Sequence, residues 1–80
     1  MEDKIVIAIK KSARELFRKY GYNKTSVNEL AKNASIAKAT FYKHFASKEL
    51  ILHAVLMDYI EENVSDILNK HVNEKDLATF

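Results

Sequence analysis

Apolar positions recur every three or four residues along most of this chain, the period of an α-helix with one buried face. Over residues 4–20, Ile5, Ile9, Ala13, Leu16, Phe17 and Tyr20 share a face, while Lys10, Lys11, Arg14 and Arg18 fall largely outside it. The opening Ile5-Val6-Ile7-Ala8-Ile9 has a strand's composition, but no turn residue separates it from the helix formers that follow. The pattern predicts a helix stopped at Gly21, a residue able to take left-handed backbone angles. A second helix of about two turns follows Thr25-Ser26-Val27-Asn28-Glu29, where Ser26 and Glu29 have capping-box spacing. Val27, Leu30, Ala31 and Ala34 form its buried side, and Ser35-Ile36-Ala37 interrupts it. A third short helix is predicted over residues 38–44, with Phe41 and Phe45 inward and Lys38, Thr40, Lys43 and His44 outward.

Ser47 stands where it can cap a fourth helix, with Glu49 in the first turn to complement the helix dipole. Ile51, Val55, Leu56, Tyr59, Ile60, Val64, Ile67 and Leu68 extend that helix's apolar stripe toward residue 70. This is roughly twice the length that a three-helix core can cover. Beyond Tyr59 the stripe has no partner in the chain and calls for another surface, a further domain or a second copy. Residues 73–80 read as a frayed or truncated end.

Composition narrows the class. Eighty residues suffice for one small domain. With no cysteine, disulfides and cysteine-based zinc sites are excluded; with no proline and one glycine, a many-stranded sheet lacks its turns. The expected fold is all-α. No apolar run approaches the length of a membrane span and the amino terminus is too charged for a signal peptide, so a cytoplasmic protein is expected. The net charge of +2 conceals a division. Residues 4–48 hold 11 basic residues against Glu15 and Glu29, whereas residues 49–80 hold two lysines against seven acids. A basic front half suits a polyanionic partner, although lysines also simply solvate small helical proteins.

Catalytic chemistry finds little support. His44, His53 and His71 lack metal-ligand spacing, and His53 follows Glu49 by four residues, which predicts a helical side-chain pair. There is no glycine-rich phosphate loop, nucleophile elbow or paired-carboxylate pocket, and the chain is too small to enclose a cleft. Neither an enzyme, nor a cofactor, nor a metal is expected.

Two short helices joined by a tight turn, the second one basic, have the spacing of a helix-turn-helix over about residues 26–45. Ala31 provides the small side chain at the closest helix approach, Ile36 plugs the turn and Phe41 locks the second helix. Any small helical hairpin would also have an interior of Ala, Ile and Phe, so spacing alone leaves both readings open.

Longer runs go further. Ile9-Lys10-Lys11-Ser12-Ala13-Arg14-Glu15-Leu16-Phe17, Gly21-Tyr22, Thr25 to Ala31, Ala34 to Phe45 and Ser47-Lys48-Glu49 together resemble TetR-family (tetracycline-repressor-like) regulators. The likeness covers about residues 5–60 without a gap, and Thr40-Phe41-Tyr42-Lys43-His44-Phe45-Ala46-Ser47-Lys48-Glu49 is its most specific part. Ser35 stands where that family usually has glycine, Ala37 where it has serine, Ala39 where glycine is frequent, and Leu50 where a polar residue or alanine is commoner.

The resemblance implies a three-helix bundle with a long fourth helix. Residues 1–60 would form the DNA-binding domain, and residues 61–80 would begin the connection to an absent carboxy-terminal ligand-binding and dimerisation domain. It implies a recognition helix in the major groove, with Lys38, Ala39, Thr40, Lys43 and His44 facing DNA. Tyr42 would give its hydroxyl to a backbone phosphate, and Lys48 would clamp another beside the fourth helix. Thr25 and Ser26 would cap the second helix and offer hydroxyl and N–H groups to the backbone, and Asn28 would reach a base edge or phosphate. Lysine donates equally to guanine O6/N7 and to phosphate, so Lys43 suits either task, while the Thr40 methyl suits a thymine methyl. The implied partners are double-stranded DNA, as a palindromic operator bound by a homodimer of the full regulator, and a small-molecule effector held by the absent domain. Repression relieved by that effector is the implied activity, with this chain alone a monomer or weak dimer. A protein-interaction module working through the fourth-helix stripe is the alternative.

Overall fold

The computed structural model describes residues 3–79, with side chains for residues 3–69. Four helices follow in order: α1 (Lys4–Tyr20), α2 (Val27–Asn33), α3 (Lys38–His44) and α4 (Lys48–Thr79). No strand occurs among the described residues, and the fold is all-α. None of these helices is long and apolar enough to cross a membrane.

Local chemistry sets each boundary. The Asp3 carboxylate accepts from the Ile5 N–H at 2.7 Å, relieving one of the unpaired donors at the start of α1. Gly21 ends α1 at φ 88° and ψ 156°, with its N–H bonded to the Phe17 carbonyl at 2.9 Å. No atom lies within 4 Å of where a Cβ would sit, so it is the dihedral angle, and not crowding, that reserves the position for glycine.

The capping box at α2 is complete. Ser26 Oγ accepts from the Glu29 N–H, and Glu29 Oε1 accepts from the Ser26 N–H, both at 3.1 Å. The far end of α2 is a Schellman motif: the Ser35 N–H donates to the Lys32 carbonyl at 3.1 Å, and the Ile36 N–H to the Ala31 carbonyl at 3.0 Å. Ser35 takes φ 60°, the left-handed angle that glycine adopts freely, and Ile36 turns into the core. Ala37 leads into α3 without any side-chain cap. At α4 the Ser47 hydroxyl accepts from the Leu50 N–H at 3.3 Å.

Ile9 and Ala13 of α1, Leu30 and Ala31 of α2, Phe41 of α3 and Ile51 of α4 form the enclosed core. α1 packs against both α2 and α4, and α2 carries α3. Buried Ser12 donates to the Leu30 carbonyl at 2.9 Å, and the Asn33 amide donates to Ser12 at 3.0 Å. An ion pair between Lys10 and Asp58, at 2.9 Å, ties α1 to α4.

Three expectations change. Tyr20, the last member of the α1 stripe, is half exposed, where it borders an open hollow with Leu16, Glu29, Lys32 and Asn33. The chain does not fray at residue 73, since α4 continues to Thr79. His53 is exposed and makes no ion pair or hydrogen bond with Glu49 among the described residues. The His71 side chain lies outside the described residues.

α4 outruns the core as the hydrophobic pattern implies. Its 32 residues span about 48 Å at 1.5 Å per residue, and the chain's radius of gyration is 16.2 Å. A compact chain of this length would have about 12 Å, so the helix projects beyond the bundle. Tyr59, Ile60, Val64, Ile67 and Leu68 are exposed along it.

Candidate nucleic-acid interface

α3 has seven residues and a single fully buried side chain, Phe41. At 100° per residue, the direction opposite Phe41 falls between Ala39 and Lys43. Both are exposed and form the crest of the helix. Thr40 and His44 flank the crest on one side and are half buried; Lys38 and Tyr42 flank it on the other and are exposed. Beneath, the Phe41 ring meets Tyr42 edge-on at 5.7 Å and Phe45 at 6.1 Å. The outer face is thus basic and the inner face aromatic, with the short helix fixed by packing more than by its own weak propensity.

The Lys38–Tyr42 flank continues into an open concavity shared with other elements. Ser26 and Asn28 from the start of α2 and Lys48 from the start of α4 line it together with Lys38 and Tyr42. Asn23, Lys24 and Thr25, from the loop between α1 and α2, complete the lining with Val27. Three ammonium groups, a phenol and small polar side chains around one hollow form a surface suited to a phosphodiester. The sequence reading missed Asn23 and Lys24. The signal was a lysine directly before the capped start of α2, overlooked because loop residues have no periodicity.

Thr25 requires a correction. It is 2% exposed, and its hydroxyl donates to the Gly21 carbonyl at 2.8 Å, with the Leu16 carbonyl at 3.3 Å. The backbone at the end of α1 leaves carbonyls to be satisfied, and Thr25 closes that end without capping α2 or offering its hydroxyl outward. Ser26 alone caps α2, and its hydroxyl is engaged with Glu29.

Lys48 is also more constrained than a free surface lysine. Its ammonium donates to the Tyr22 carbonyl at 2.9 Å and lies 4.1 Å from the centre of the Tyr22 ring. The Tyr22 hydroxyl is buried and has no hydrogen-bond partner among the described residues. Burial, followed by the nearby Glu49 carboxylate, raises its pKa above the usual phenol value. Glu49 stands in the first turn of α4. Its own carboxyl is held below the usual range, first by its backbone N–H at the start of α4 and then by the Ser47 hydroxyl.

A buried aromatic anchor under a basic, exposed short helix, joined by a tight turn to a capped partner helix, defines a helix-turn-helix domain of the DNA-binding kind. The family model for bacterial regulatory proteins of the tetR family matches residues 9–55, and the chain belongs to that family. It is 41% identical over 68 residues to the uncharacterized HTH-type transcriptional regulator YuxN of Bacillus subtilis, covering 85% of this chain and 22% of that protein. It is 40% identical over 79 residues to the HTH-type regulator YerO of the same organism, covering 98% of this chain and 26% of that one. The A-factor receptor protein of Streptomyces griseus is 38% identical over 45 residues, 56% of this chain and 16% of the receptor. The chain thus spans about a quarter or less of the length of these relatives. No solved structure gives a significant match.

Proposed function

We propose that the chain is the reading head of a transcriptional regulator, with α3 seated in the major groove of double-stranded DNA. Ala39 and Lys43 face the base edges, with Thr40 and His44 beside them. Lys38, Tyr42, Lys48, Ser26 and Asn28 face the adjoining phosphates. The observation that carries this reading is the crest of α3, where exposed Ala39 and Lys43 stand directly opposite buried Phe41. Thr25 contributes indirectly, by holding the loop that leads into α2.

For the whole regulator, the proposal is a homodimer on a palindromic operator in the cytoplasm, repressing until a small molecule binds its other domain. The exposed α4 residues from Tyr59 to Leu68 support packing against such a domain. In this arrangement α4 transmits effector binding to the separation of the two heads, so that two half-sites are no longer met together.

Fluorescence anisotropy of a labelled duplex, titrated with the 80-residue chain at two salt concentrations, tests the reading. Binding that weakens steeply with salt is expected, because the lysines displace counterions. No binding at low salt, or binding indifferent to salt, overturns it.

A further inference from the structure

Tyr22 has no place among the DNA-facing residues, yet it holds one of them from two directions. Its carbonyl accepts the Lys48 ammonium at 2.9 Å, and its ring face lies 4.1 Å below the same group. Neither surface depends on Lys48 for its own position. The carbonyl also accepts the Thr25 N–H at 3.2 Å, within a loop that the Thr25 hydroxyl pins to Gly21. The ring packs edge-on against Phe17 of α1 at 5.2 Å. The seat is therefore built by α1 and the following loop, whereas the ammonium it receives comes from α4.

An ammonium has three N–H donors, and the Tyr22 carbonyl uses one. Two remain, on a group that lines the concavity shared with Ser26, Asn28, Lys38 and Tyr42. A surface lysine loses much rotamer freedom when a ligand immobilises it. Lys48 has already lost that freedom in the free protein, so less is lost when a phosphate arrives.

We propose that Tyr22 is a positioning residue for phosphate binding, its carbonyl and ring holding the Lys48 ammonium in place before DNA arrives. The inference rests on the DNA-binding reading above. It assigns to Tyr22 a role that acts through Lys48 and without contact to DNA.

A double-mutant cycle in the 80-residue chain, read by anisotropy on one duplex at fixed salt, isolates that role. Tyr22→Leu lowers affinity about two- to fivefold when Lys48 is present, the range of a cation–π contact at a partly exposed site. The same change has no effect in the Lys48→Met background. Tyr22→Phe keeps the ring and the carbonyl and retains wild-type affinity. An equal loss in both backgrounds, or no loss in either, overturns the inference, because a merely structural tyrosine acts independently of Lys48. Should Tyr22→Leu lose its helical circular dichroism, increasingly fluorinated phenylalanines at position 22 replace it, weakening the ring's attraction at nearly constant shape. Affinity falling with fluorination is then expected, and a flat series is the contrary result. Failure of the wild-type chain to bind any duplex sinks the DNA reading instead, which keeps the two failures apart.

Discussion

Ser12 and Asn33 are joined across the α1–α2 contact: the Asn33 amide donates to the Ser12 hydroxyl at 3.0 Å, and that hydroxyl donates onward to the Leu30 carbonyl at 2.9 Å. Ser12 is 1% exposed, so a polar group sits in the core with both of its hydrogen-bonding functions used. The bridge fixes the end of α2 against α1, directly before the turn that delivers α3.

Ser12→Ala is expected to cost about 1 kcal/mol of stability, the usual net value of one such hydrogen bond. The loss stays moderate because the Leu30 carbonyl keeps the Ala34 N–H and exposed Asn33 can turn to water. Urea unfolding followed by circular dichroism measures it. A loss several times larger would mean that the bridge organises more of the core than these two helices.

Anchor and crest separate on α3. Phe41→Ala is expected to cost about 3–5 kcal/mol. That approaches the whole stability of a domain this small. Lys43→Ala, at an exposed position, leaves the melting temperature within about 1 °C of wild type and lowers DNA affinity. Calorimetry and anisotropy on the same samples test the contrast, which fails if Lys43→Ala binds DNA as wild type does.

The two left-handed positions differ in direction. Ser35→Gly is expected to raise stability by up to about 1 kcal/mol, because serine at φ 60° bears a strain that glycine lacks. Gly21→Ala is expected to lower it by about 1–3 kcal/mol, since φ 88° with ψ 156° is a region open almost only to glycine. Thermal melts of both variants decide the signs.

Tyr22 gives the chain an alkaline signature. Its folded pKa is raised, so the folded state holds the phenol proton more tightly than the unfolded chain does. The resulting stability is complete below the unfolded value near 10 and is lost as pH rises through the folded one. Absorbance at the tyrosinate band should show one tyrosine titrating late, and Tyr22→Phe should remove that late component. Its persistence in Tyr22→Phe would assign the buried phenol to another residue.

Much of this protein was written in its local pattern. The three- and four-residue spacing marked all four helices, and Ser26-x-x-Glu29, Gly21 and Ser47 marked their ends, because caps and helix faces depend on residues within one or two turns. The run from Thr40 to Glu49 indicated the family, and the outward placement of Lys38 and Lys43 followed from helical period, whereas Thr40 and His44, expected outward with them, are half buried. The tertiary structure alone decided the contacts between distant segments. It turned Thr25 inward to the end of α1, seated Lys48 on Tyr22 26 residues away, joined Lys10 to Asp58, and left Tyr20 half exposed. Each of these depends on where one helix lies relative to another, and side-chain periodicity within a single helix contains no information about that.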